Sequence, residues 1–294
     1  MKSKLLWLGL IASPLLGRAQ APDDLRHIVV VPGRTAAETA IRTGETFIGK
    51  PYVAHTLEGN ATEQLVINVQ QFDCATFIET TLALALAEQE LPTKYTTPQL
   101  ESAFKKYLTK LRYRNGRIDG YVSRLHYLSD WLRDNERKGF VQEVTRDIGG
   151  MQVYKDINYM TEFSHYYPAL SNPSTYRQMV AIQTEISQQP FYFIPRKQIK
   201  AAESKIKEGD ILMFTAAKPG LDMRHVGYAT WRYGRLYLLH ASSDNNRVTL
   251  SRQPMADYLA NNRNLSGLRV ARVKESAIRM SQRTTGNGNL SAHR

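Results

Sequence analysis

The segment Phe72-Asp73-Cys74-Ala75-Thr76-Phe77-Ile78 contains the only cysteine of the 294-residue chain and marks the predicted start of a helix. Asp73 is a residue type that caps helix N-termini, and one helical face follows, formed by Cys74, Phe77, Ile78, Thr81, Leu82 and Ala85. A helix N-terminus lowers the pKa of a thiol, because its free backbone N–H groups favour the thiolate. We therefore expect Cys74 to be a nucleophile; an inert, buried thiol is the alternative.

Further helices are predicted on both sides of this segment. Residues 35–48 have helical periodicity and end at Gly49-Lys50-Pro51, and residues 65–69 alternate as an extended run. After the cysteine helix, residues 98–113 and 122–138 are predicted as two more helices. Residues from about 140 to 195 show no clear periodicity, so we interpret them as irregular.

The last third of the chain has the pattern of strands. Apolar runs predict strands over residues 211–214, 225–231, 236–239, 248–250 and 268–273. Helices followed by a small antiparallel sheet predict an α+β fold.

Two histidines at strand boundaries are candidates for the base that a thiol nucleophile needs. A turn at Tyr233-Gly234 would place the start of one strand beside the end of the next, so that His225 and His240 become neighbours. His240 would then orient the His225 ring through a hydrogen bond. Cys74, His225 and His240 are therefore the predicted catalytic residues, although each histidine alone also suits a structural role at a strand end.

The chain carries a formal net charge of +12. Because the sequence has no zinc spacing, aromatic-and-glycine strand signature or basic heptads, we expect no nucleic-acid partner. Acidic envelope polymers and their carboxylate-bearing fragments fit the charge, and general solubility is the alternative explanation. The histidines lack a compact ligand spacing, so we expect no metal and no cofactor.

The N-terminus has the features of a signal peptide. Lys2 and Lys4 precede an apolar stretch over residues 5–16, and Gly17-Arg18-Ala19 offers small residues for cleavage. This stretch is short for a bilayer span, and a short membrane anchor is the competing interpretation. We expect residues 1–20 to direct export to the periplasm, residues 21–274 to form a single domain and residues 275–294 to form a flexible polar tail.

Four motifs in the same order resemble those of the NlpC/p60 cysteine hydrolases. The cysteine segment is similar to the family's Asp-Cys-Ser-Gly-Phe-Val helix start, and Pro51-Tyr52 is similar to the Pro-Tyr upstream of the nucleophile. Gly209-Asp210-Ile211-Leu212 and His225-Val226-Gly227 resemble its Gly-Asp-Leu and His-Val-Gly blocks, and His240 falls where it has a third polar residue. The resemblance implies a papain-like fold and amide bonds of peptidoglycan as targets.

Two features depart from the usual pattern of that family. Ala75-Thr76 replaces Ser-Gly, and the long stretch between Cys74 and His225 implies a large insertion at about residues 95–200. Residues 51–58 and 123–127 are similar to a branch of N-acetylmuramoyl-L-alanine amidases that act on anhydro-muropeptides. The resemblance thus implies hydrolysis, through a thioester, of the amide between a 1,6-anhydro-N-acetylmuramoyl group and L-alanine.

The insertion supplies candidate substrate contacts. Arg124 is suited to a substrate carboxylate, and His126 and Tyr127 to sugar hydroxyls; a solvated helix charge and a partly buried helix histidine are the alternatives. The complete set of predicted substrate-binding or oxyanion residues is Tyr52, Asp73, Arg124, His126, Tyr127 and Arg224. We expect a monomer that binds muropeptides, with no stable membrane insertion.

Other functions fit the same residues. A γ-D-glutamyl endopeptidase would use the same catalytic groups on a different bond of the stem peptide, and acyl transfer would use them with a different acceptor. A non-catalytic envelope-binding protein on a decayed hydrolase fold is the alternative from another class.

Overall fold

The computed structural model describes residues 25–275, so the predicted signal peptide and nearly all of the predicted tail lie outside the described residues. The helices are α1 (Ala36–Thr46), α2 (Cys74–Glu90), α3 (Thr97–Arg112), α4 (Leu128–Arg137), α5 (Tyr159–Glu162), α6 (Pro173–Ser187), α7 (Ile199–Ala202) and α8 (Met255–Asn261). The strands are β1 (Val141–Glu143), β2 (Met151–Val153), β3 (Phe191–Pro195), β4 (Ile211–Ala216), β5 (Met223–Arg232), β6 (Arg235–Ser242), β7 (Arg247–Leu250) and β8 (Leu265–Val273).

The strands form one sheet whose order is β2-β3-β8-β4-β5-β6-β7, and β1 also pairs with β8. Every strand pairing is antiparallel, which confirms the α+β class. The sheet is larger than the small one predicted, because residues 140–195 are not irregular: they supply β1, β2 and β3, together with the long helix α6. These strands have only three to five residues each. Their partners are distant in sequence, so local periodicity carries little information about them.

Helix α2 holds the cysteine at its first residue. The carboxylate of Asp73 accepts from the backbone N–H of Thr76, whose hydroxyl accepts from the backbone of Asp73, so the N-terminus has a complete capping box. The helix is buried along most of its length, with Phe77 fully enclosed. The hydroxyls of Thr81 and Tyr228 lie 3.0 Å apart and join α2 to β5. Because burying a large apolar side chain stabilises a fold by about 1.5–3 kcal/mol, core packing fixes the place of the cysteine against the sheet.

A tight hairpin joins β5 to β6. Its two turn residues, Tyr233 and Gly234, have φ of 52° and 71°, as a type I′ turn requires. Farther along the hairpin, a Cβ on Gly227 would lie 2.9 Å from the Cβ of His240 and 2.6 Å from a methyl group of Leu238. Only glycine therefore fits beside the histidine on β6.

The helix predicted over residues 122–138 begins at Leu128 instead. The preceding segment forms a 3-10 turn and then an isolated β-bridge between Arg124 and Tyr113. Backbone hydrogen bonds to the end of α3 override the local helical pattern, since tertiary contacts outweigh helix propensity. As a result Arg124 and His126 precede the helix rather than lie on its face.

The insertion region has a small buried cluster of its own, formed by Tyr127, Ile157, Met160, Leu170, Met179 and Ile186. Its treatment as an insertion within a single domain of residues 21–274 stays a prediction. Within residues 25–275, none of the helices combines the length and the apolar character that a membrane span needs.

Candidate active site

A cleft of about 370 Å³ lies where the N-terminus of α2, the segment before α4 and the start of β5 meet. Cys74 lines it, and so do all six predicted substrate-binding or oxyanion residues, namely Tyr52, Asp73, Arg124, His126, Tyr127 and Arg224. His225 is buried directly after the lining residue Arg224 on β5, and His240 is buried on β6. The fold thus brings all nine residues of the predicted site into one region.

The thiol of Cys74 faces the strand that carries His225. The backbone N–H groups of Val226, Ala75 and Cys74 itself hydrogen-bond to the sulfur and lower the pKa of the thiol. Burial acts in the opposite direction and is the larger effect, and with the negative charge of Asp73 it raises the pKa of Cys74 to about 12. The expectation that the helix N-terminus lowers the pKa of this thiol is therefore wrong. The pKa is raised because the desolvation of the thiolate has a larger effect than the hydrogen bonds from the N–H groups.

The two predicted histidines form a hydrogen-bonded pair. Nε2 of His225 lies 2.6 Å from Nδ1 of His240, and the rings are nearly perpendicular, which confirms the predicted hydrogen bond. Burial lowers the pKa of His225 well below 6.5, and the electrostatic effects of His240 and Arg224 lower it further. Burial also lowers the pKa of His240 to about 4. Both rings are therefore neutral at pH 7.

Tyr52 lies beside Cys74 because of a short parallel bridge between Tyr52 and Phe72. In this bridge the N–H of Val53 donates to the carbonyl of Phe72 at 2.9 Å. Burial raises the pKa of Tyr52, and the electrostatic effect of Cys74 and Asp73 raises it further. The phenol therefore keeps its proton and is a hydrogen-bond donor at the cleft.

The carboxylate of Asp73 serves the helix cap. It accepts from the backbone N–H of Thr76 at 2.7 Å and from the Thr76 hydroxyl at 2.8 Å. The threonine that departs from the Ser-Gly pattern of the resembled family thus completes the capping box that positions Cys74.

Arg124 is paired inside the protein, so it is not a solvated helix charge. Its guanidinium contacts Glu58 at 2.8 Å and Glu63 at 3.1 Å, and it lies 5.0 Å above the ring of Tyr121. Two carboxylates already balance its positive charge. A substrate carboxylate would therefore have to displace one of them.

His126 and Tyr127 also have partners within the insertion. Nε2 of His126 is 2.9 Å from the carbonyl of Tyr121. The hydroxyl of Tyr127 donates to Gln183 at 2.7 Å and accepts from the backbone N–H of Met160 at 2.9 Å. Because these bonds occupy the Tyr127 hydroxyl, the part of Tyr127 that lines the cleft is its ring, and its hydroxyl is not free to bind a sugar hydroxyl.

Arg224 is the exposed cation of the cleft wall. Among residues 25–275 its guanidinium makes no ion pair, in contrast to Arg124. An unpaired guanidinium directly before His225 on β5 is suited to bind a carboxylate in bidentate geometry.

The model of the AmiA-like family, described as N-acetylmuramoyl-L-alanine amidase-like, matches residues 42–268. The chain belongs to the N-acetylmuramoyl-L-alanine amidase-like family. The chain is similar to an N-acetylmuramoyl-L-alanine amidase from Bacteroides uniformis, with 37% identity and a TM-score of 0.76 over 83% of this chain and 100% of the other.

Two further solved structures have similar folds. One comes from Bacteroides fragilis, is named as a proposed xylanase, and is 36% identical with a TM-score of 0.72 over 78% of this chain and 99% of the other. The other comes from Legionella pneumophila and shares the fold alone, at 21% identity and a TM-score of 0.62 over 82% of this chain and 90% of the other. Among curated proteins, no sequence matches the chain.

Two further residues of this amidase-like chain support the site and were missed by sequence reasoning. The buried carboxylate of Asp222 accepts from the backbone N–H of Ser129 at 2.7 Å, which ties the start of β5 to the first turn of α4. On α8 the ring of Tyr258 is nearly perpendicular to that of His240, with centroids 6.2 Å apart. No sequence pattern pointed to Tyr258, because its short helix has no marked periodicity, whereas Asp222 lies in the loop just before His225.

No metal-binding group of three or more His, Cys, Asp or Glu side chains is found in residues 25–275. The arrangement in this region is that of a thiol, two neutral imidazoles and a phenol at the edge of a cleft. These groups can supply a nucleophile, a base and a donor for a developing oxyanion.

Proposed function

We propose that the protein is a cysteine-dependent N-acetylmuramoyl-L-alanine amidase with a papain-like fold of the NlpC/p60 type. The observation that carries the proposal is the place of the Cys74 sulfur at the backbone N–H of Val226, directly beside His225, whose ring is 2.6 Å from that of His240. Membership of the amidase-like family supports amide hydrolysis on a peptidoglycan-type substrate.

The hydrogen bond between the histidines assigns their tautomers in this proposal. When Nε2–H of His225 donates to Nδ1 of His240, the free lone pair of His225 is on Nδ1. Nδ1 then takes the proton of the Cys74 thiol as the sulfur attacks the lactyl carbonyl carbon. His240 holds the ring and stabilises the imidazolium that forms.

The rest of the reaction returns each group to its starting state. His225 gives its proton to the nitrogen of L-alanine as the C–N bond breaks, and the peptide leaves as an amine. Water then loses a proton to His225 and attacks the thioester, the C–S bond breaks, and the sulfur takes the proton back. In both steps the developing oxyanion accepts from the backbone N–H of Cys74 and from the hydroxyl of Tyr52.

The insertion supports a preference for soluble fragments such as 1,6-anhydro-muropeptides. Its residues Tyr127, Tyr159 and Tyr167 line the cleft and form the wall that the insertion contributes. A cleft walled on this side accepts the end of a glycan chain more readily than the middle of a polymer. Arg224 then binds a carboxylate of the stem peptide.

Glycoside hydrolysis, which the name of the Bacteroides fragilis structure suggests, fits the cleft less well. That reaction needs two carboxyl groups that face the scissile bond. Glu79 and Glu58 are salt-bridged to arginines, and Asp73 and Asp222 accept backbone N–H groups at the starts of helices. All four carboxylates are therefore engaged within the protein.

The proposal is tested by digesting N-acetylglucosaminyl-1,6-anhydro-N-acetylmuramoyl tripeptide and identifying the products by mass spectrometry. We expect a free anhydro-disaccharide and a peptide that begins with L-alanine. Cys74→Ala should abolish cleavage, whereas Tyr233→Ala, a change at a fully exposed turn, should not affect it. A cut inside the peptide would indicate the endopeptidase, and tight binding without cleavage by the parent protein would indicate the envelope-binding alternative.

We also propose export through residues 1–20 and action as a monomer in the periplasm. The charged start and short apolar stretch support export. Cell fractionation should find the parent protein in the periplasm and a variant without residues 1–20 in the cytoplasm. Light scattering should give the mass of one chain.

A further inference from the structure

A row of aromatic side chains leads out of the cleft along the insertion. It begins at Tyr159, which lines the cleft, and continues to Phe163, whose ring centroid is 4.7 Å away. The ring of Tyr166 follows at 6.5 Å with an interplanar angle of 23°, and His165 lies 4.0 Å from Tyr166. We call Tyr159, Phe163, His165 and Tyr166 the aromatic row.

The outer end of the aromatic row is open to solvent. Tyr166 is 62% exposed and His165 is also exposed. Phe163, His165 and Tyr166 are outside the buried cluster of the insertion, so core packing does not explain their grouping. A contiguous row of partly exposed aromatic rings that leads out of a cleft is typical of a ligand-binding site.

The aromatic row is fixed to the loop that leads into the catalytic strand. Nζ of Lys218 lies 4.4 Å from the ring centroid of Tyr159 and 4.2 Å from that of Phe163. The backbone N–H groups of Asn158 and Tyr159 both donate to the carbonyl of Gly220, at 3.1 and 3.0 Å. These contacts hold the row in a constant position relative to β5, which begins a few residues after Gly220.

We propose that the aromatic row is a subsite for the pyranose that precedes the muramoyl residue, an N-acetylated amino sugar. The inference rests on the proposed function, because the muramoyl group must occupy the cleft for its neighbour to reach the row. The apolar C–H face of a pyranose packs on an aromatic ring, as the exposed Tyr166 allows.

The subsite makes the enzyme distinguish substrates with two sugars from those with one. The test compares N-acetylglucosaminyl-1,6-anhydro-N-acetylmuramoyl tripeptide with the same compound without N-acetylglucosamine. In Tyr166→Ala we expect KM for the two-sugar substrate to rise about 5- to 10-fold with kcat unchanged. KM for the one-sugar substrate should not change. Tyr166→Phe, which keeps the ring, should behave as the parent.

A matched control and a measurement without catalysis separate this inference from the proposed function. Tyr233→Ala removes another exposed tyrosine, distant in sequence from the row, and should leave both KM values unchanged. In Cys74→Ala, saturation-transfer NMR with the peptide-free disaccharide should show contacts to the N-acetylglucosamine ring that Cys74→Ala/Tyr166→Ala lacks. If both substrates are cleaved with KM values that Tyr166→Ala does not alter, the subsite is wrong and the amidase stands. If neither is cleaved but these NMR contacts appear, the amidase is wrong and the sugar site stands.

Discussion

Nε2 of His225 and Nδ1 of His240 lie 2.6 Å apart across the neighbouring strands β5 and β6. Both rings are buried, so solvent does not compete for the hydrogen bond between them. Only one proton can lie between two neutral ring nitrogens. When His225 is the donor in this bond, its Nδ1 is left as a proton acceptor, and the orientation of that nitrogen depends on His240.

Removal of His240 should reduce turnover more than substrate binding. In His240→Ala the His225 ring loses its partner and its preferred tautomer, so we expect kcat to fall on the order of 10²-fold or more. In His240→Asn the side-chain oxygen can accept in place of Nδ1, and part of the activity should return. The measurement is kcat and KM for a muropeptide, with circular dichroism to check the fold. Equal loss in both variants would contradict the orienting role.

Stability should decrease in acid because His240 is buried as the neutral form. Its pKa is about 4 in the folded protein, against 6.5 for the unperturbed group. The unfolded chain therefore binds more protons between these values, so the stabilisation that is complete above pH 6.5 is lost as the pH falls toward 4. The difference corresponds to about 3 kcal/mol.

Chemical denaturation of the parent and of His240→Asn at several pH values measures this effect. His126 and His225 also have lowered pKa values and contribute in the same direction, so the variant should reduce the slope of stability against pH without abolishing it. An unchanged slope in the variant would show that His240 is not the titrating group.

The buried ion pair between Glu79 and Arg112 should be a main contributor to the rigidity of the cleft wall. Nε of Arg112 lies 2.7 Å from the Glu79 carboxylate, and its guanidinium also donates to the carbonyl of Val66. Burial raises the pKa of Glu79, and the charge of Arg112 counteracts this rise. Arg112→Met leaves a buried carboxylate without its partner, so we expect a loss of about 3–5 kcal/mol in the free energy of unfolding.

The comparison needs an exposed pair and a double variant. Arg232→Met breaks a solvent-exposed pair with Glu45 and should cost less than about 1 kcal/mol. Glu79→Leu combined with Arg112→Met removes both charges and should recover part of the stability lost in Arg112→Met. Urea denaturation of the four proteins measures these differences. A double variant less stable than Arg112→Met would show that hydrogen bonding rather than charge pairing dominates.

Local sequence patterns predicted the elements that hold Cys74, His225 and His240. The capped start of α2 and the turn at Tyr233-Gly234 are set by residues within a few positions of each other, and the structure has both. Placing His225 beside His240 followed from the turn alone. Local sequence information was therefore sufficient to predict that the two histidines are neighbours.

The predictions that were wrong concern segments whose structure depends on contacts with residues far away in the sequence. The segment with Arg124 has helical periodicity, but it pairs with Tyr113 and its guanidinium contacts Glu58 and Glu63. Strand β1 has three residues and exists because β8 pairs with it. Neither contact leaves a periodic signal, because each partner lies far away in sequence.

The thiol of Cys74 should react slowly with alkylating reagents at neutral pH. The sequence favours a lowered pKa from the helix N-terminus, but burial raises it to about 12, so little thiolate is present at pH 7. We expect the rate of reaction with iodoacetamide to increase about tenfold for each pH unit from 7 to 10, as for an unionised thiol. In this state the proton passes to His225 during the attack, and no thiolate–imidazolium pair is stored beforehand. A rate that is already constant at pH 7, and that becomes pH-dependent in His225→Ala, would instead establish a preformed ion pair in which the imidazolium overcomes the cost of burial.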